Sequence, residues 1–347
     1  MTTPPQALRL RGALTLRDGA LTQRTVAIEG SRISAGPFPA VDLSGYMIMP
    51  GMVDLGHDPR DTRSIAELRA DAAKAGVTTG WITLAQDLAA DQSLTELAAR
   101  KGPDLRGRLL SDRMDHTAPE RLIERVRRFD LDMVLFHDTR PGQNARSDKA
   151  TTDWRNGSAA PRRLCQLAEA FDALGVVYGS LADPDGETRE TSSMLGARLC
   201  DSPDSYAAAS VAHAVGDPVV MEAASALPGW SGPVSAQPLL RAGRCQALRS
   251  GTRLGSLLDA VLTLAGDDLD RLAATWRIVA ELPAQIMRLP DRGIIARGLR
   301  ADLVIIDTAT RQLAGTIVAG RPVWLSGPLR QRFAQVIPAP TLIAAAE

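Results

Sequence analysis

Short apolar runs separated by turn residues fill the first fifty positions of the chain. Asp18-Gly19 and Glu29-Gly30-Ser31 interrupt these runs, and residues of this kind favour hairpin turns. The pattern therefore predicts β-strands, and the runs cover residues 8–14, 19–22, 25–28 and 46–49.

From residue 52 to residue 282, apolar strand-like runs alternate with segments of helical spacing. The predicted strands cover residues 52–55, 77–84, 108–111, 133–136, 175–178, 218–221 and 247–248. The predicted helices cover residues 65–75, 94–100, 119–129, 162–174, 193–200, 204–215, 254–264 and 269–282, and another helix begins at residues 238–242. This alternation predicts a parallel sheet closed as a (β/α)8 TIM-like barrel, with chemistry at the carboxyl ends of its strands.

The last part of the chain returns to strand-like runs. They cover residues 303–306, 315–318 and 321–325, and we expect them to pair with the strands at the start of the chain. The predicted organisation is a small β-sandwich domain from residues 1–50 and 299–335, and a barrel from residues 51–298. A long loop is predicted over residues 148–161.

Composition narrows the classes of function. Lys+Arg and Asp+Glu both number 40, so the chain lacks the basic excess of a nucleic-acid-binding protein. No apolar run reaches the roughly 18 residues of a membrane span, and the N-terminus resembles no signal peptide. We expect a cytoplasmic protein. Its cysteines, Cys165, Cys200 and Cys245, do not have zinc-binding spacing.

Four segments, in order along the chain, resemble the amidohydrolase superfamily. Pro50-Gly51-Met52-Val53-Asp54-Leu55 resembles the start of its first barrel strand, and Ala75-Gly76-Val77-Thr78-Thr79 resembles its second. Leu282-Pro283-Ala284 resembles a late helix of the superfamily. Residues 293–304, GIIARGLRADLV, resemble its closing G-x-I-x-x-G-x-x-A-D-L-V segment.

Within that superfamily the chain resembles the diphosphatase family of phosphonate metabolism. Residues 138–143, DTRPGQ, are similar to the family's DHxPGQ, and Leu195-Gly196 and residues 256–260 add to the resemblance. The family hydrolyses a phosphoric anhydride of α-D-ribose 1-methylphosphonate 5-triphosphate and releases pyrophosphate. The resemblance implies a phosphorylated small-molecule substrate and a divalent metal cofactor (Mg²⁺, Mn²⁺ or Zn²⁺).

Several positions of the family's metal site carry other residues in this sequence. Gly56, Thr139 and Leu181 stand at family histidine positions, and Gly251 stands where the family has its general-base aspartate. His57 is one residue out of register, so we expect it to face away from the site. These substitutions predict a degenerate metal site.

Strand-end carboxylates remain, and carboxylates alone suit Mg²⁺ better than zinc. We predict Asp58, Asp112 and Asp183 as catalytic residues, with Asp58 and Asp112 as remnant metal ligands. Arg140 and Gln143 are predicted to bind the substrate, because arginine matches phosphate geometry.

Three functions stay open from the sequence. The first is a diverged or impaired hydrolase of the phosphonate-pathway type. The second is a pseudoenzyme that binds a phosphorylated ligand or a protein partner, including a second copy of itself. The third is a metal-independent hydrolase that uses Asp112 or Asp183 as general base.

Overall fold

Strands outside the barrel come from both ends of the chain. The computed structural model describes residues 7–59, 63–84, 88–98, 102–115, 117–138 and 159–336. Before the barrel lie β1 (Ala7–Arg11), β2 (Leu14–Arg17), β3 (Ala20–Gln23), β4 (Val26–Glu29), β5 (Arg32–Ser34), β6 (Ala40–Asp42) and β7 (Tyr46–Pro50).

The middle of the chain forms a parallel eight-stranded sheet. Its strands are β8 (Met52–His57), β9 (Val77–Leu84), β10 (Asp104–Asp112), β11 (Met133–His137), β12 (Val177–Leu181), β13 (Leu199–Asp201), β14 (Val219–Glu222) and β15 (Ala247–Arg249). Each strand pairs with the next in sequence. A parallel bridge between His57 and Gly251 joins the two edge strands. The sheet is therefore a closed barrel, which confirms the predicted fold class.

Helices connect the barrel strands and cover the sheet. They are α1 (Ile65–Lys74), α2 (Leu88–Leu97), α3 (Pro119–Phe129), α4 (Ala159–Leu174), α5 (Gly186–Met194), α6 (Tyr206–Ala214), α7 (Ala236–Arg241), α8 (Ser256–Ala265), α9 (Leu269–Trp276) and α10 (Glu281–Ile286). Short 3₁₀ helices cover Ala223–Ala226 and Arg277–Val279. In the part of the chain that the structure describes, no helix has both the length and the apolar character needed to cross a membrane.

The single helix predicted over residues 269–282 is divided into α9, a 3₁₀ helix and α10, and the prediction for residues 193–200 is wrong. The sequence pattern predicts a helix over residues 193–200, but α5 ends at Met194 and β13 begins at Leu199. Gly196 has a φ of 83°, in the left-handed region that glycine adopts most readily, and the chain turns there into the strand. The sequence pattern predicts seven barrel strands, and β13 is the eighth.

After the barrel, β16 (Leu303–Asp307), β17 (Leu313–Val318), β18 (Arg321–Leu325) and α11 (Gly327–Ala334) complete the fold. The strands from both chain ends form two sheets, with orders β5-β4-β1-β6 and β18-β17-β16-β7-β2-β3. One buried apolar cluster joins the sheets and α11, and it includes Leu10, Ile48, Ile305 and Phe333. The proposed boundaries of the two domains remain predictions.

Candidate functional site

The last but one residue of the first barrel strand, Gly56, has no side chain. A Cβ atom on Gly56 would lie 2.3 Å from Cζ of Arg108, so the guanidinium of Arg108 fills that space. Arg108 lies inside β10 with no exposed surface, and its Nη1 donates to the carbonyl of Leu55 at 3.0 Å. A buried cation therefore occupies the volume that a side chain at position 56 would take.

Two carboxylates and two guanidinium groups form a closed cycle of ion pairs at the strand ends. Nη2 of Arg108 lies 3.0 Å from Oδ1 of Asp58, and its Nη1 lies 2.7 Å from Oδ2 of Asp201. Nη1 of Arg249 lies 2.5 Å from Oδ2 of Asp58, and its Nε lies 2.7 Å from Oδ1 of Asp201. We call Asp58, Arg108, Asp201 and Arg249 the strand-end network.

The strand-end network favours the charged forms of Asp58 and Arg249. Burial alone would raise the pKa of Asp58, but Arg249, Arg108 and a hydrogen bond from Thr83 hold that pKa well below its usual range. Burial alone would lower the pKa of Arg249, yet Asp201 and Asp58 raise it. The two charge signs alternate around the network, so each charge has two opposite neighbours.

The described residues do not fit a bound divalent cation at this position. A metal needs carboxylate oxygens or imidazole nitrogens that are free to coordinate it. Both oxygens of Asp58 already accept from guanidinium groups. Among the described residues, no three His, Cys, Asp or Glu side chains come close enough together to hold a metal ion.

The side chain of Glu222 lies against Gly251, where the resemblance places a general base. A Cβ atom on Gly251 would lie 2.2 Å from Oε1 of Glu222, at the end of β14. This carboxylate is half-buried, its charge interacts with that of Arg249, and no described residue donates a hydrogen bond to it. Glu222, on the neighbouring strand β14, therefore places its carboxylate beside Gly251.

Asp183 belongs to a second, fully buried set of ion pairs. Arg113 lies 2.8 Å from its Oδ1, and Arg189 lies 3.3 Å from its Oδ2. Ser180 also donates to this carboxylate. Leu181, at a family histidine position, is half-buried at the end of β12. The predicted catalytic role of Asp183 remains a prediction, but its oxygens are engaged by two arginines and a serine.

Asp112 contacts a different set of residues from Asp58. Its Oδ1 accepts from the backbone N–H of Met114 at 2.8 Å. With His137 it lines an open cavity of about 560 Å³ that also contains Asp115 and Arg121. Burial lowers the pKa of His137, and the charge of Asp112 opposes that shift. Asp58 and Asp112, the predicted pair of metal ligands, therefore contact different sets of residues.

His57 faces away from the strand-end network. Its Nδ1 lies 2.9 Å from the carbonyl oxygen of Gly251 and 3.3 Å from Oγ of Ser250. Arg140, Gln143 and Thr139 lie outside the described residues, so their predicted roles stay predictions.

Sequence reasoning missed four residues at the strand ends: Arg108, Asp201, Arg249 and Glu222. One signal was present, since Arg108 begins the predicted strand 108–111, and a charge buried on a barrel strand requires a partner. Asp201 was hidden because the sequence pattern around its strand resembles a helix.

Comparison with known sequences finds a relative that matches part of the chain. The chain is 36% identical over 118 residues to α-D-ribose 1-methylphosphonate 5-triphosphate diphosphatase of Escherichia coli. That match covers 33% of this chain and 31% of the relative, so it spans about a third of each. No family model matches the chain.

Solved structures match over nearly the whole chain. Dihydropyrimidinase from Brevibacillus agri has a TM-score of 0.68 at 15% identity, covering 92% of this chain and 95% of its own. N-acetylglucosamine-6-phosphate deacetylase from Pasteurella multocida has a TM-score of 0.68 at 13% identity, covering 91% and 99%. The chain therefore has the fold of the amidohydrolase superfamily, and over a third of its length it is similar in sequence to the triphosphate diphosphatase.

Proposed function

We propose that this protein is a diverged relative of the diphosphatase. In this proposal it binds a phosphorylated small molecule and does not catalyse metal-dependent hydrolysis. The observation that carries this proposal is the strand-end network, in which the guanidinium of Arg108 fills the space beside Gly56. The degenerate metal site predicted from the sequence becomes, in this proposal, a site rebuilt with arginine.

The chemistry of arginine supports the loss of metal catalysis. A bound metal lowers the pKa of its water to about 7 and polarises a phosphoryl oxygen. A guanidinium only donates hydrogen bonds, and it does not give up its proton in proteins. Arg108 and Arg249 therefore hold Asp58 and Asp201 in place but do not generate hydroxide.

The phosphorylated ligand is supported by the relative's name and by the sequence resemblance. The matched segment belongs to a protein that acts on a ribose triphosphate. Binding of a protein partner, or of a second copy of this chain, stays a prediction that light scattering would test.

A second function, metal-independent hydrolysis, is favoured by Glu222. Its carboxylate has no hydrogen-bond partner among the described residues and lies beside Gly251. A general base needs a carboxylate that can accept a proton and lies within reach of water. Turnover that persists in excess chelator and disappears in Glu222→Gln would favour this second function over the first.

The test is metal content and turnover measured on one preparation. The protein, purified without chelator, is offered Mn²⁺, Zn²⁺ and Mg²⁺, then desalted, analysed for metal and assayed with the triphosphate. The E. coli relative, treated identically, is the positive control. We expect metal near zero per chain and no release of pyrophosphate above a protein-free blank. Stoichiometric metal together with metal-dependent turnover would overturn the proposal.

A further inference from the structure

A cleft between the β2–β3 hairpin and the barrel helices lies apart from the strand-end network. Its volume is about 390 Å³, and its walls come from residues 16–19, from α9 and the residues after it, and from residues 293–296. Pro50 also lines the cleft and precedes β8, whereas Asp58 follows that strand. The volume is within the range of small-molecule sites, roughly 300–1,000 Å³, which often lie between domains.

Close backbone contacts hold the walls of the cleft in place. A Cβ atom on Gly293 would lie 2.9 Å from the carbonyl oxygen of Ala280, so residues 293–296 begin directly against the start of α10. The indole of Trp276 donates to the carbonyl of Pro50 at 2.9 Å and joins α9 to the end of β7. The cleft is therefore present before a ligand binds, as small-molecule sites usually are.

Much of the lining is apolar. It includes the side chains of Leu16, Ala273, Trp276, Ala280 and Ile294. Ile294 is 46% exposed, although isoleucine is among the residues most often buried in folded proteins. An aliphatic ligand in the cleft would cover this side chain, and the removal of apolar surface from water would favour binding.

The charge that remains available in the cleft is positive. Asp18 and Glu281 line it, but Asp18 accepts from Arg24 at 3.3 Å and Glu281 accepts from Arg277 at 2.6 Å. Arg17 also lines the cleft, and no described residue accepts a hydrogen bond from its guanidinium. Its Nε lies 3.8 Å from Oδ2 of Asp18, beyond hydrogen-bond distance.

We propose that this cleft binds a small aliphatic carboxylate. The carboxylate accepts charge-assisted hydrogen bonds from Arg17, whose side chain is 39% exposed, and the aliphatic chain packs against Leu16 and Ile294. A neutral ligand would remove water from Arg17 without giving it an acceptor, so the charge matters for affinity. The bound carboxylate contacts both the β2–β3 hairpin and the segment that follows the barrel helices.

Calorimetric titration with octanoate tests the site. Octanol has the same chain without the charge, and acetate has the charge without the long chain, so both serve as ligand controls. The wild-type protein is compared with Arg17→Gln and Ile294→Ala, and with the control variants Arg244→Gln and Val215→Ala. Arg244 contacts Ser210, Val215 is 53% exposed at the end of α6, and neither lines the cleft.

We expect saturable binding of octanoate at one site, and binding of octanol and acetate that is weaker by about tenfold or more. Arg17→Gln should weaken octanoate binding about tenfold and leave octanol binding unchanged. Ile294→Ala should weaken octanoate binding about fivefold, because less apolar surface is covered. The two control variants should bind octanoate as the wild type does.

Three results would overturn the proposal. They are absence of saturable octanoate binding in the wild type, octanol binding as tight as octanoate binding, and equal octanoate affinities in all the variants. Arg17 and Ile294 are each more than a third exposed, so we expect both variants to fold. If one of them does not give the wild-type circular dichroism spectrum, the other variant and the octanol comparison decide the question.

Discussion

The glycine at position 56 can be interpreted only together with Arg108, whose guanidinium occupies the space beside it. From the sequence, Gly56 reads as a lost ligand. In the structure, a side chain at this position would displace the guanidinium of Arg108, because Cζ of Arg108 lies 2.3 Å from where its Cβ would be. The position of Asp58 is predictable from the sequence, but its engagement with Arg108 and Arg249 depends on strands far away in the chain, so no local pattern could predict it.

Gly56→Ala tests this close approach. We expect a loss of about 1–3 kcal/mol in the free energy of unfolding, because the buried Arg108 has little room to move. Urea unfolding followed by circular dichroism measures the change. Gly327→Ala is the matched control, since a Cβ there meets nothing within 4 Å. Equal stability of the two variants would show that Arg108 does not lie against Gly56.

Arg108→Met tests whether the strand-end network is a linked set of charges. Removing one cation leaves Asp58 and Asp201 only partly compensated, and Asp201 is 1% exposed. We expect a loss of about 3–5 kcal/mol in the free energy of unfolding, as for a broken buried ion pair. Adding Asp201→Asn to this variant should recover part of the loss, and additive effects in the double variant would contradict the coupling.

At the scale of secondary structure, the sequence predicted seven of the eight barrel strands, including the three-residue β15, but it did not predict β13. The strand-like run that forms β9 and the amphipathic α3 are predicted at or within a residue of their bounds. The three residues of β13 are too few to show a period, and tertiary pairing with β12 and β14 determines their conformation. Because β13 carries Asp201, missing this strand meant missing the strand-end network.

Asp58, which directly follows β8, should make the free energy of unfolding depend on pH. The pKa of Asp58 is lower in the folded protein than in the unfolded chain, where it is about 4. Below roughly pH 5 the unfolded state therefore binds more protons, and stability falls as the pH is lowered. We expect a smaller fall between pH 6 and pH 3 in Asp58→Asn than in the wild type, measured by urea unfolding at each pH. Parallel curves would exclude Asp58 from this effect.

At the scale of the whole molecule, the sequence motifs predicted the architecture well because they lie where the barrel meets the β strands of the chain ends. The backbone N–H of Gly51 donates to Asp302, and Thr316 donates through its hydroxyl to the carbonyl of Ala73. The indole of Trp276 donates to the carbonyl of Pro50 at 2.9 Å. These bonds connect β7 and β17 to the barrel helices, and they connect the start of the first barrel strand to the residue before β16.

Phe333→Ala tests whether the barrel and the β sheets unfold together. Phe333 in α11 is fully buried in the apolar cluster that joins strands from both chain ends. We expect the free energy of unfolding to fall by about 3–5 kcal/mol, as it does when other buried phenylalanines are replaced by alanine. Arg330→Ala, one turn earlier on the exposed side of α11, should change stability little.

The same variant distinguishes coupled from independent domains. In a background in which the other four tryptophans are replaced by phenylalanine, Trp276 reports on the barrel by fluorescence, and far-ultraviolet circular dichroism reports on the whole chain. Because hydrogen bonds and a continuous chain from β7 into β8 join the two parts, we expect both probes to shift to the same lower urea midpoint. An early dichroism transition, with the Trp276 transition left at its wild-type midpoint, would mean that the β sheets unfold without the barrel.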